Sequence, residues 1–289
     1  MGLISIFSTL YSSCTDTKPG MLSAPGYHVI PTKVFFNAGF GSGPALEVIG
    51  ADPRSFEKLN RGFPESSYGR DKNLVYYNGK VIKGADSKSF TRLRTYYSMD
   101  DRFVYYNGTQ LSRDPDHFVF IDDMVQKDRK HVYRGGWIIS DDPENFQFIT
   151  AIDGFSYYRD HKGVLVNSTR LPGANPETFK ALRYGYSHDS SQVYQVDGMI
   201  AKVIEGAIPS GFAVFNTYYS HDTEHVFWKG KTLPGADPAT FAILNTEVHC
   251  SRDARHAYHL DKMIPGLNPE SFPAGKDCKY CTDKELVFE

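Results

Sequence analysis

Eight aspartates recur along the chain at nearly constant intervals: Asp71, Asp100, Asp128, Asp160, Asp189, Asp222, Asp253 and Asp283, separated by 29, 28, 32, 29, 33, 31 and 30 residues. Gathered together they would make a ring of acids for a metal or a sugar. Each taken alone, at a tight turn, would be an Asx-type cap whose carboxylate accepts backbone N–H bonds. The eightfold recurrence favours the cap, because a residue that every unit needs is scaffold before it is catalyst. Histidine is a second candidate: six of ten, His188, His221, His225, His249, His256 and His259, fall late in the chain. His221 and His225 are four apart, a spacing that serves a metal on a helix, but here they straddle a turn into a strand. Tyr-Ser-His-Asp at 186–189 and Tyr-Tyr-Ser-His-Asp at 218–222 make His188 and His221 repeat positions. Cys278-Lys279-Tyr280-Cys281 has the spacing of a redox pair or half a zinc site, with no second such pair and no βαβ pattern around it. In an oxidising compartment the expectation is a disulfide pinning the end of the chain, Cys278 with Cys281 or one of them with Cys250.

No nucleophile elbow, zinc-protease helix, phosphate-binding loop or dinucleotide fingerprint occurs, and the glycine-rich run at 39–43 precedes Pro44 rather than a helix. The sequence therefore assigns no catalytic residue, no cofactor and no metal ligand, and the expectation is a protein that is not an enzyme. No partner-binding residue is assigned either.

The elements that must position these residues are repeats. Each Asp is followed by three mostly polar residues, a Val and an aromatic, and often by Asn-Gly, as in Asn78-Gly79 and Asn107-Gly108. This reads as two short strands around a type I′ turn, since Asn and Gly tolerate positive φ. A second half, Asp-Pro-Arg-Ser-Phe at 52–56 and its relatives, pairs a capping residue with Pro at a first helical position and predicts one helical turn that points its Phe inward. Phe56, Phe90, Phe118, Phe146, Phe179, Phe212, Phe241 and Phe272 close these halves. A period near 30 residues signals a solenoid, propeller or array. The expected fold is all-β, about eight tandem hairpin units of three short strands each, with β-propeller-like closure favoured over an open solenoid because the chain begins and ends inside a unit. Residues 160–168 and 204–212 depart most from the pattern, which makes them candidates for a private surface.

At 289 residues, with 20 Phe, 19 Tyr and net charge −2, the chain suits an aromatic-packed β protein and argues against nucleic acid or an anionic membrane as the main electrostatic partner. Residues 1–14 hold a short apolar run ending at Cys14, residues 15–33 read as a tether, and residues 34–289 as the repeat domain.

The run before Cys14 resembles the end of a bacterial lipoprotein signal, which implies lipidation of Cys14 and export to the periplasm, although Tyr11 stands where Leu is usual and no Lys or Arg precedes it. A plain buried N-terminal strand or helix is the alternative. The Asp-containing hairpin faintly resembles the Asp-box turn of sialidase-type propellers, where the box is structural too. DKNLVYYNG at 71–79 and DDRFVYYNG at 100–108 resemble the signature of the bacterial DKNYY repeat family. That resemblance implies an envelope-associated protein without established catalytic residues and, by analogy, an immunity protein that neutralises a secreted antibacterial toxin encoded by a neighbouring gene, as in type VI secretion. A glycan-binding or glycan-cleaving propeller is the second expectation.

Overall fold

The computed structural model of the protein describes residues 18–20, 23–39, 41–59 and 68–289, and among them regular structure is antiparallel strand apart from three short 3-10 turns. The chain divides into two compact units, Met1–Ile138 and Ile139–Glu289. Nine sheets follow in chain order among the described residues, and sheets 2 to 8 have four strands each, ordered as they occur in sequence. Sheet 2 is representative: Glu57–Lys58, Tyr68–Arg70, Val75–Tyr77 and Lys80–Val81. Its second and third strands pair Tyr68 with Tyr77 and Arg70 with Val75 around the Asp71 turn. Asn78, at φ 49°, and Gly79 then turn the chain into the fourth strand. Only a left-handed pair matches the strand twist there, which is why Asn-Gly recurs.

The first and fourth strands of sheet 2 are two residues long, short enough to offer little free edge to another chain. Its third strand buries Val75 and Tyr76 completely, as do the equivalent pairs Val104-Tyr105 and Val193-Tyr194, so these strands are core on both faces.

Consecutive sheets are keyed together by the Phe of the second half. Phe56 lies 5.0 Å from the Tyr27 ring and 5.7 Å from the Tyr76 ring. Phe90 is placed alike between Tyr68 and Tyr105, and Phe241 between Tyr219 and Tyr258. Each of these three Phe rings thus contacts one ring from the sheet before it and one from the sheet after. Removing such a ring costs about 3–5 kcal/mol. Gly69 belongs to this packing, because a Cβ there would sit 2.5 Å from the Phe56 ring.

Several expectations are corrected. The units have four strands, not three, since the segment after the Phe is in most units a strand of only two residues, too short to stand out in sequence, although it reaches six at Gln147–Ile152. The Pro turn is a 3-10 turn at Pro115–His117 and Pro269–Ser271 and a simple hydrogen-bonded turn elsewhere. The repeat starts earlier than residue 34: Gly26–Val29 is already a strand, and Tyr27 fills the place that Tyr68 holds in sheet 2. Ile30 stands where the Asp would be. Of the expected private surfaces, the apolar residues Val164, Leu165, Val166 and Ile204 are buried, while His161, Lys162, Ser168, Glu205 and Ser210 are exposed. Each terminal sheet is built from its own consecutive strands, Gly26–Val29 with Val34–Asn37 and Leu46–Glu47 at one end, Cys278–Cys281 with Leu286–Phe288 at the other.

Candidate interaction surface

The recurrent carboxylates come first because they held the most chemical promise. Asp71 Oδ1 accepts from the amides of Asn73 and Leu74, each at 2.8 Å, and Oδ2 accepts from the Tyr76 hydroxyl at 2.7 Å and the Asp52 amide at 2.9 Å. The third of these comes from the buried strand and the last from the preceding Pro turn, so one side chain ties three elements. Asp100 and Asp253 repeat the set atom for atom. Burial acts to raise the Asp71 carboxyl, and donation from Asp52, Asn73, Tyr76 and Leu74 outweighs it, holding the group below the usual carboxylate range. The reciprocal effect raises Tyr76, through burial first and the Asp71 hydrogen bond second. All four acceptor positions are occupied, which leaves no lone pair aimed at a ligand.

Where the sequence varies, the donors are replaced. Asp160 has Leu165 in place of the Tyr, and Arg170 supplies both missing bonds, Nη1 to Oδ1 at 2.8 Å and Nη2 to Oδ2 at 2.6 Å. Asp222 faces Phe227 and takes the Ile208 amide at 2.8 Å, with His225 Nδ1 at 3.4 Å. Ser112 and Ser140 donate to Asp128 and Asp160 while accepting from the amides of Asp114 and Asp142. Neither serine relay was legible, because Ser at a strand end carries no distinctive signal. Asp283 is a correction: it is exposed and pairs with His259 at 2.7 Å and Lys262 at 2.9 Å. Thr282 takes the cap, its Oγ1 accepting from Lys284 and Glu285 amides.

The histidines are spread over this framework. His188 and His221 bond the carbonyls of Asp189 and Asp222, and His256 lies beside Asp253. His221 and His225 flank the Asp222 turn off any helix. The disulfide joins Cys250 to Cys281 with Cα atoms 5.9 Å apart, and Cys278 is a buried free thiol. The Cys278–Cys281 pairing is thereby corrected. Those residues sit at the two ends of one strand, where three steps span roughly 10 Å, beyond the reach of a disulfide. Burial pushes the Cys278 thiol up. Cys14 lies outside the described residues.

Several of the most exposed apolar side chains stand at the end of the sheets where the first hairpin and the last hairpin turn. In the first unit this end carries Trp137, 79% exposed, and Ile138. In the second it carries Met199, 85% exposed, and Ile200 on sheet 6, whose Lys202 reaches the Lys229 carbonyl on the sheet 7 tip, where Tyr218 and Trp228 also stand. Tyr218 stacks on Trp228 at 5.3 Å and meets His249 at 4.4 Å, and Lys229 Nζ lies 5.1 Å from the centre of the Tyr218 ring. Aromatic rings beside cations are the side chains that dominate protein contacts.

The model of the DKNYY family matches residues 27–169 and 204–262. The chain belongs to the DKNYY family. The family signature is visible in the geometry: its Asp is the cap, and its first Tyr, as Tyr76 or Tyr105, is the buried donor to that cap. The unmatched stretch 170–203 still contributes to the DKNYY pattern, since Asp189 receives the Tyr194 hydroxyl and the Asn175 amide, both at 2.8 Å. No curated protein and no solved structure matches the chain.

Proposed function

We propose that this DKNYY protein is a non-enzymatic binding protein of the bacterial envelope, an immunity protein that captures a secreted antibacterial toxin encoded by a neighbouring gene. The observation that carries the reading is the division of labour in the repeat. Seven of the eight recurrent carboxylates are buried and engaged within their own repeats, while apolar and aromatic side chains at the hairpin tips face outward. Such a chain invests its repeated polar chemistry in rigidity and has its variable tips left for contact. A Cys250–Cys281 disulfide suits an exported protein, and lipidation at Cys14 with a periplasmic location belongs to the same proposal. Closure of the sheets into a propeller-like ring is a further part of it, supported by the run of seven four-stranded antiparallel sheets.

The test is recovery of the tagged chain from the membrane fraction of its own host, followed by binding of the purified protein to the products of adjacent genes. A stoichiometric complex with one of them is the expected result. If none of those products binds, and a glycan array is positive, the glycan-binding reading replaces this one.

A further inference from the structure

Among the described residues, eight non-glycine residues have left-handed φ, and all eight sit at hairpin tips of the same end of their sheets. Asn78, Asn107, Asp153 and Asn167 are the types that tolerate it. Tyr184 (56°), Lys229 (48°) and Leu260 (56°) are not, and all three lie in the second unit, on sheets 6, 7 and 8, together with His249 (57°), whose type is commoner there. A turn that accepts Asn elsewhere in the same protein holds a disfavoured side chain here, and strain of this kind gathers where side chains are kept for what they present.

The strained tips are contiguous with the aromatic cluster. The Tyr219 hydroxyl donates to the carbonyls of His249, at 3.0 Å, and Leu260, at 3.4 Å, and Lys202 Nζ donates to the Lys229 carbonyl at 3.1 Å. Lys229 Nζ sits over the Tyr218 and Trp228 rings rather than against a carboxylate. Lys231 is exposed two residues on. The charge is uneven: three lysines, Lys202, Lys229 and Lys231, against one exposed carboxylate, Asp197 on the sheet 6 tip, leave the side of sheets 6 and 7 net cationic, whereas Glu247 and Asp261 stand on the tips of sheet 8. Burial first, and the nearby Lys229 and His259 after it, lower the proton affinity of His249.

We propose that the tips of sheets 6 and 7, centred on Tyr218 and Lys229 and extended by Met199 and Ile200, are where the protein partner docks an acidic segment. The inference rests on the protein-binding reading and names its surface. Partner carboxylates would meet Lys202, Lys229 and Lys231, and apolar groups beside them would cover the exposed Met199 and Ile200.

Three variants of the full chain test it against the protein that co-purifies with the wild type: Lys229→Glu, Lys229→Asn, and Lys284→Glu at the opposite end of sheet 9. Lys229→Glu is expected to weaken binding at least tenfold and Lys284→Glu to leave it within twofold. Lys229→Asn is expected to raise the melting temperature, because Asn tolerates the left-handed turn, and still to weaken binding. Wild-type affinity in both Lys229 variants, or equal losses in Lys229→Glu and Lys284→Glu, overturns the assignment of the surface while leaving the binding function intact. A melting temperature lowered by Lys229→Asn overturns the strain argument. Recovery of no partner with the wild type overturns the binding reading and the surface with it.

Discussion

Replacing Asp253 by Asn would test the repeat at its most buried carboxylate, which has no exposed surface. Oδ1 takes the amides of Arg255 and His256, each at 2.7 Å, and Oδ2 takes the Tyr258 hydroxyl at 2.9 Å and the Asp237 amide at 3.0 Å. An Asn oriented to keep the two turn amides presents its NH2 to the Asp237 amide and to Tyr258. The hydroxyl can rotate to accept, but the amide cannot, and one buried donor loses its partner. A lost charge-assisted bond and an unsatisfied N–H together cost about 2–4 kcal/mol. Ala would strand all four donors and cost more. Trp228 packs in the same cluster as Tyr258, so its fluorescence reports the transition once the exposed Trp137 is changed to Phe. Urea unfolding of Asp253→Asn in that background should show the midpoint falling with little change in slope. A loss below about 0.5 kcal/mol would mean that these carboxylates are not the keystones of the turns. Asp283→Asn is the internal control, expected to leave the midpoint unchanged because that side chain is solvated.

Other expectations follow from the same geometry. The capping aspartates have folded proton affinities below their unfolded ones, so their stabilisation is complete above pH ~4 and disappears as pH falls further. At the other extreme, burial pushes Tyr97, Tyr186 and Tyr219 up to about 12, against the lowering effect of hydrogen bonds with Ser220 and Gln195 at Tyr186 and with Ser251 at Tyr219, so stability should decline as pH rises above ~10; urea midpoints across pH check both limbs. Cys281→Ser removes a 31-residue closure worth about 3–4 kcal/mol in the chain-entropy account, and hydrogen exchange should locate the loss at Leu286–Phe288. A Cys278–Cys281 peptide in a non-reducing digest would refute that pairing. Gly69→Ala should cost about 1–3 kcal/mol by displacing the Phe56 ring, measured by the same urea titration.

Much of this was legible in the sequence because the cap is local. An Asp whose carboxylate takes the amides two and three residues on leaves a fixed interval to the buried Val, and that interval repeats. The rule misled at the end of the chain, where Asp283 has Val287 at the expected distance but Thr282, one residue earlier, has the buried-strand residue Leu286 in register. The disulfide was legible only as one of two alternatives, Cys278 with Cys281 or one of them with Cys250, because the pairing that forms is not local. Cys250 occupies the place, three residues before the Asp, where Tyr68, Tyr97, Tyr186 and Tyr219 stand, and a cysteine in that column was the available clue. Arg170 could not be found by pattern at all, since it compensates for Leu165 from an adjacent strand. The tips were the least legible part: Lys229-Gly230 stands in the Asn-Gly place and reads as a turn, but nothing in His249 or Leu260 announces a left-handed backbone.

The central claim is that the protein protects its host by binding. A deletion strain of the source bacterium, grown in contact with its parent and complemented with the wild-type gene, measures it directly. The account expects the deletion strain to be lost from the mixed culture only while the parent carries the adjacent toxin gene, and complementation to restore it. Equal survival of both strains, with the toxin gene intact and expressed, would contradict it.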